Sequence, residues 1–250
     1  VMTEPELVVV QVSENVTDHI GMRTEDVLTR PLSALFDPSA VEAVRTALGG
    51  GPTERANAIR IVTSGKPFDA IVHRHEGAAI LELEPASAVS AADMEHHPLR
   101  QTLIRVQDVG TVRELANIVV EEVKRMTGFD RVMFYRFNEV GDGSVDAESV
   151  APGLEPYLGL HYPASDIPQQ ARQLYLKNSF RIIVDARYKP ARIVPTLRPD
   201  TGAPLDLSFA VLRSVSPIHL EYMANMGVRA SMSISLIVRE RLWGLISCAN

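Results

Sequence analysis

Residues 111–137 read TVRELANIVVEEVKRMTGFDRVMFYRF, a one-faced helical pattern running straight into a strand pattern. Val112, Leu115, Ile118, Val119, Val123 and Met126 form one apolar stripe, so a helix is expected to bury that stripe. Gly128 is its natural stop, because glycine adopts the left-handed conformation that closes a helix. A helix of this kind followed at once by RVMFYRF points to a mixed α+β fold.

The rest of the chain divides around this signal. LVVVQV (residues 7–12) is a strand candidate, and Ser13 is a possible cap for the stretch after it. RTEDVLTRPLSALFDPSAVEAVRTALGG carries short helical pieces: Leu32, Leu35 and Phe36, then Val41, Val44 and Leu48, with the Gly49–Gly51 run ending the second. ANAIRIV, PFDAIVHRHE and GAAILELEP alternate or run apolar between Gly and Pro breaks, as an antiparallel meander does. Together they read as a small α+β sensor layout. The Ala/Ser-rich stretch at 87–101 is the expected connection between two domains. Beyond the helix, GDGSVDAESV holds a turn and a strand, SPIHLEYMANMG is a short helix, and ASMSISLIV and RLWGLISCAN are strands joined at Arg239–Glu240. Residues 186–205 carry four prolines and little periodicity, long for a loop and suggestive of a functional excursion. The chain opens and closes on strand-like sequence, from which a piece of a longer protein is expected.

Several function classes are disfavoured. The 250 residues carry a net charge of −6 and no dense Lys/Arg block, which argues against nucleic acid. No run of about 18 apolar residues exists to span a membrane, and VMTEPELVVV lacks a signal-peptide layout. The single cysteine, Cys248, excludes an internal disulfide and suits a reducing cytoplasm. It lies in an apolar strand, where an inert thiol is expected. Neither His73 and His75 nor the pair His96–His97 comes with ligand spacing for zinc, so no metal is expected. There is no GxSxG elbow, and GDGS lacks phosphate-loop spacing.

What remains is a set of polar groups in apolar or aromatic settings: Tyr135, Asp166, Tyr175, Arg181, Arg213, His219 with Tyr222, and Ser231, Ser233 and Ser235 along one strand face. Each alone has an ordinary structural explanation; Asp166, for instance, suits a helix cap before Pro168. Taken together they describe a pocket with two guanidinium forks, a hydroxyl row, an imidazole, a carboxylate and aromatic walls. Such a pocket suits a large, flat, mostly apolar ligand with two acidic arms.

The motifs PASDIP followed by QQARQLY, then LRSVSPIHLEYMANMGVRASMSISL, then LWGLISC, resemble the chromophore-binding GAF domain of phytochromes, and of the biliverdin-binding bacteriophytochromes above all. QVSENVTDHIG and HRHEGAAILELEP are similar to the PAS domain of the same family. The resemblance implies a PAS domain over residues 1–86 lacking its preceding segment, a linker at 87–100, and a GAF domain over 101–250 lacking its end. Each would be a central antiparallel sheet flanked by helices, with a knot threaded through a lasso near residues 190–210. It implies biliverdin, a linear tetrapyrrole with two propionates, held by Arg181 and Arg213 with Ser216, Ser231 and Ser233 in support. Asp166, beside Ile167 and Pro168, would offer its carbonyl to the pyrrole N–H groups and its carboxylate to a following PHY domain. His219 would stack beside the pigment, and Tyr135, Tyr162, Tyr175 and Tyr222 would wall the ring that rotates. The family's photoreceptors are cytoplasmic homodimers whose output is commonly a histidine kinase. A PAS–GAF sensor of a nucleotide or haem, without photochemistry, is the rival reading; an enzyme using Asp166 and His219 as an acid–base pair is the weaker one.

Two positions depart from the family pattern. The cysteine that bacteriophytochromes join to biliverdin precedes the PAS domain, and Ile218 stands where plant phytochromes carry theirs. From these residues alone a non-covalent pigment is expected. Ala249 stands where the family usually has a histidine that bonds the outer-ring carbonyl.

Overall fold

A computed structural model describes residues 1–49, 57–86, 105–106 and 109–250. The expected linker at 87–100, with His96 and His97, lies outside the described residues. The chain forms two compact units, one made of Val1–Val89 with Lys189–Ser214, the other of Ser90–Tyr188 with Val215–Asn250.

In the first unit, β4 (Asn57–Thr63), β5 (Lys66–His75) and β6 (Ala78–Pro85) form the expected antiparallel meander. β1 (Met2–Thr3) and β2 (Val8–Val9) extend it to the order β2-β1-β6-β5-β4. The single strand expected at 7–12 is instead two short ones, because β3 (Val12–Ser13) leaves this sheet to pair with β11 (Ile193–Val194) of the proline-rich excursion. The helical pieces are α1 (Val16–Ile20), α2 (Thr24–Val27), a 3-10 turn at Leu32–Ala34 and α3 (Pro38–Gly49). Strand alternation decides what they cover. Phe68, Ala70 and Val72 of β5 join Val41, Val44 and Leu48 of α3 in one core. His73 and Glu82 point to the other face, which residues 206–212 meet through hydrogen bonds to His75 and Glu82.

In the second unit, α4 (Val112–Thr127) carries a capping box between Thr111 and Glu114 and ends on Gly128 at φ 73°. Its buried line matches the expected stripe in part, since Val119 and Val123 pack against the core. Ala116 and Val120 are buried, whereas Val112 and Met126 are exposed at 54% and 62%. The apolar residues outnumber what one face can bury, and the small Ala116 lets the backbone approach the sheet. That sheet is antiparallel throughout, in the order β10-β12-β13-β7-β8-β9. It comprises β7 (Arg131–Phe137), β8 (Gly143–Val150), β9 (His161–Tyr162), β10 (Phe180–Ile183), β12 (Ser231–Val238) and β13 (Arg241–Ala249). The turn between β12 and β13 places Arg239 and Glu240 at positive φ, as a two-residue hairpin requires. Val132, Phe134, Met232, Ile246 and Cys248 pack with α4 on one face. The period of two then sends Tyr135, Phe137, Ser231, Ser233 and Leu245 to the opposite face. Against that face packs α5 (Gln169–Lys177), whose Tyr175 joins Tyr135, Phe137 and Leu245 in one cluster, and α6 (Pro217–Asn225) follows later in the chain. Among the described residues, no helix is long and apolar enough to cross a membrane.

Candidate functional site

The sheet face of the second unit opposite α4 is built of cross-strand rows. Arg181 lies opposite Ser233, Ser233 opposite Ser247, and Ser247 opposite Met133. The neighbouring row runs from Ile183 through Ser231 and Ala249 to Arg131. The hydroxyl row expected from the sequence therefore exists, with a guanidinium in β10 beside it. Ser235, the third member, donates to the carbonyl of Tyr175 at 2.8 Å and so ties α5 to β12.

Toward β7 and β8 the face becomes aromatic. Tyr135 packs edge-on to Phe137 at 5.2 Å and tilts over Tyr162 at 6.0 Å. Tyr157, Tyr162, Ile167 and Tyr175 complete the same cluster. Burial, then the nearby charge of Asp166, pushes the Tyr135 phenol up to about 12. Burial and Asp166 also raise the Tyr222 phenol. Asp166, Tyr135 and Tyr222 thus converge on one region. Tyr222 in turn stacks on His219 at 6.4 Å and 27°. His219 is held below the usual histidine range, first by burial and then by the Arg181 charge, so its imidazole is neutral at neutral pH.

The loop carrying Asp166 is anchored from both ends. The Asp142 carboxylate accepts the Ala164 N–H at 2.9 Å, and Arg172 donates to the Gly141 carbonyl at 2.9 Å. Asp166 N–H closes a turn on the Pro163 carbonyl at 3.0 Å. The helix-cap explanation for Asp166 does not hold: α5 begins after Pro168, which is its N-cap residue and supplies no side-chain bond. Asp166 is an exposed residue. At α6, Ser216 is the N-cap residue and Pro217 opens the helix, which sets His219 and Tyr222 one turn apart.

Tyr135, Tyr162, Tyr175, Ile167, Arg181, Ser231, Ser233, Ala249, His219, Tyr222 and Asp166 all belong to this unit. Arg213 falls in the Lys189–Ser214 segment of the first unit. Tyr157 escaped the sequence reading. It lies in the segment 155–158, pinned by the buried Arg131–Glu148 ion pair, with the Arg131 guanidinium 3.6 Å from its ring centre. PYLGLHY has no periodicity that singles it out. Elsewhere, His75 meets Asp206 at 3.0 Å, and with Glu76 it forms a group of potential ligand atoms within 4.8 Å of one another. Sequence spacing could not reveal this grouping, since Asp206 is 131 residues away.

Residues 1–86 match the family model described as a PAS fold, and residues 111–250 match the GAF domain model. The chain is 43% identical to cyanobacterial phytochrome B of Nostoc over 99% of its own length and 34% of that protein's. It is 47% identical to the bacteriophytochrome of Pseudomonas aeruginosa, over 80% of this chain and 27% of that one. It spans about a third of the length of the curated relatives it matches. Among solved structures, the chromophore-binding domain of a Stigmatella aurantiaca phytochrome superimposes with a TM-score of 0.88 at 47% identity, covering all of this chain and 84% of that one. A bacteriophytochrome from R. palustris gives 0.90 at 40% identity over all of this chain and 51% of that one. With both domain models matched in order and these likenesses along its whole length, the chain belongs to the phytochrome family.

Proposed function

We propose that this chain binds a bilin, biliverdin, and serves as the pigment-holding part of a red/far-red light sensor. The observation that supports this most directly is one sheet face carrying a hydroxyl row with Arg181 beside it at one end and clustered tyrosines at the other. A flat tetrapyrrole with acidic arms needs charged anchorage at its middle and an apolar, unbonded enclosure at an outer ring. The residues present fit that division. Biliverdin, when bound, supplies the absorption of red light and a double bond whose geometry light can change.

The chain's own groups would work as follows. Arg181, with Ser233 opposite, holds a carboxylate by charge-assisted bonds; Ser231 and Ser216 add hydroxyls. The assignment of a second carboxylate to Arg213 rests on its LRSVSPIH motif. His219, neutral at neutral pH, can accept or donate a proton beside the pyrrole nitrogens. Tyr135, Tyr162, Tyr175 and Tyr222 exclude water from the outer ring without tethering it. Asp166 would offer its main-chain carbonyl to the pyrrole N–H groups from a loop fixed by Asp142 and Arg172, and its carboxylate to a following PHY domain. Domain limits of 1–86 for PAS and 101–250 for GAF, with a connection between, follow the same reading. So do a cytoplasmic homodimer and an output domain of the histidine-kinase kind, with catalysis outside this chain.

The test is an absorption spectrum of the chain assembled with biliverdin, before and after red illumination. A red band that shifts on illumination and recovers in the dark is expected. Absence of a red band, with binding of a nucleotide or haem instead, would replace light sensing by ligand sensing.

A further inference from the structure

Within the second unit, Glu148 lies opposite Met133, and Arg131 is two residues from Met133 along β7, so one sheet face carries both charged groups. The row that begins at Arg181 therefore continues through Met133 to Glu148, and the row that contains Ala249 reaches Arg131. The two side chains form an ion pair and are 10% and 2% exposed. Charges taken from water need further hydrogen bonds. Both sets come from one segment without regular structure. Glu148 Oε2 accepts the Tyr157 N–H at 2.8 Å and the Leu158 N–H at 3.0 Å, and Arg131 Nη2 donates to the Glu155 carbonyl at 2.6 Å. The guanidinium carbon also lies 3.6 Å from the centre of the Tyr157 ring. The Tyr157 main chain and its ring are thus held by the same ion pair. That ring belongs to the aromatic cluster of Tyr135, Tyr162 and Tyr175. The Tyr162 phenol, raised first by burial and then by Tyr157, is drawn down by Arg131, so this cation acts on the cluster as well.

We infer that Arg131 is a positioning residue: held by Glu148, its guanidinium stacks on Tyr157 and fixes that ring in the tyrosine wall around the pigment's outer ring. This rests on the reading that the wall encloses the outer ring of a bilin. The plainer alternative is a staple that only ties residues 155–158 to the sheet. A staple needs the three main-chain bonds and nothing more. The geometry favours positioning, because the same guanidinium also lies over the ring, where a planar delocalised cation attracts an aromatic face.

The experiment assembles the chain with biliverdin and measures dark recovery after red light, with urea unfolding of the same samples. The proteins are the wild type, Arg131→Lys, Tyr157→Leu, Tyr157→Phe and the double variant Arg131→Lys with Tyr157→Leu. Lysine keeps a positive charge beside Glu148 but cannot lay a plane on the ring. Arg131→Lys and Tyr157→Leu are each expected to speed dark recovery about fivefold, with little further change in the double variant. Tyr157→Phe keeps the aromatic face and is expected to recover at the wild-type rate. An Arg131→Lys protein that unfolds in less urea but recovers as the wild type does is a staple variant, and overturns the inference while the pigment reading stands. Additive effects in the double variant, or a Tyr157→Phe that behaves like Tyr157→Leu, overturn it as well. A wild type without a red band defeats the pigment reading and the inference with it. Should Arg131→Lys not fold, Glu148→Gln replaces it: its amide oxygen can still accept the Tyr157 and Leu158 N–H groups, but it no longer holds the guanidinium by charge, and the same faster recovery is expected.

Discussion

Tyr135 lies so close over Gly143 that a Cβ at residue 143 would fall 1.9 Å from both the Cζ and the hydroxyl oxygen of the phenol. Gly143 opens β8 opposite Phe137 and Tyr162, so the absence of a side chain there is what allows the tyrosine to lie across the strand. The register shift between Phe134 and Tyr135 aims the ring at this gap.

Gly143→Ala is therefore expected to displace Tyr135 and to destabilise the chain by about 1–3 kcal/mol, the usual cost of overpacking. Urea denaturation measures it. Tyr135→Ala combined with Gly143→Ala should cost less than the sum of the single changes, because the collision is removed. An additive double variant would mean that the ring does not lie over Gly143.

Ala249 sits opposite Ser231 on one side and Arg131 on the other, on the proposed pigment face. A methyl group cannot donate a hydrogen bond. Ala249→His is expected to supply one to the outer ring, worth on the order of 1 kcal/mol, and to speed dark recovery about fivefold. Absorbance recovery after red light reads this, and identical spectra and kinetics in both proteins would refute it.

Asp166→Ala and His219→Ala are each expected to keep biliverdin bound, since Arg181 and the tyrosines remain, and to lose normal photoconversion. The His219 imidazole should titrate below 6.5 by NMR, and Arg181→Ala should move its midpoint upward by removing a like charge, although burial remains the larger cause. Full photocycling in both alanine variants would defeat the roles proposed for these residues.

His73 makes the first unit acid-sensitive. Burial, with the neighbouring His75 charge second, lowers its pKa from 6.5 to about 4. Between those values the unfolded chain binds the extra proton, so stability falls as pH drops through the window and levels off below it. His73→Phe should reduce the stability difference between pH 7 and pH 4.5 by about 2 kcal/mol, measured by urea denaturation at both pH values. An unchanged difference would assign the acid sensitivity elsewhere.

What the sequence determined by itself was local and periodic. The meander of β4 to β6, the helix closed at Gly128 and the serines sharing one strand face were all legible, because strand and helix periods are written in consecutive residues. The long motifs around Asp166 and His219 carried the family. Tertiary structure decided what depends on partners far away in the chain. It buried Ala116 and Val120 and left Val112 and Met126 exposed, because those two lie at the ends of the helix rather than over the sheet. It split LVVVQV, because Ile193–Val194 offers β3 a ladder that no local pattern announces. It denied Asp166 the role of cap by starting α5 after Pro168. It joined Glu82 to Val211 and Leu212 across about half the chain, because a buried carboxylate takes its hydrogen bonds from whichever amides the fold brings within reach.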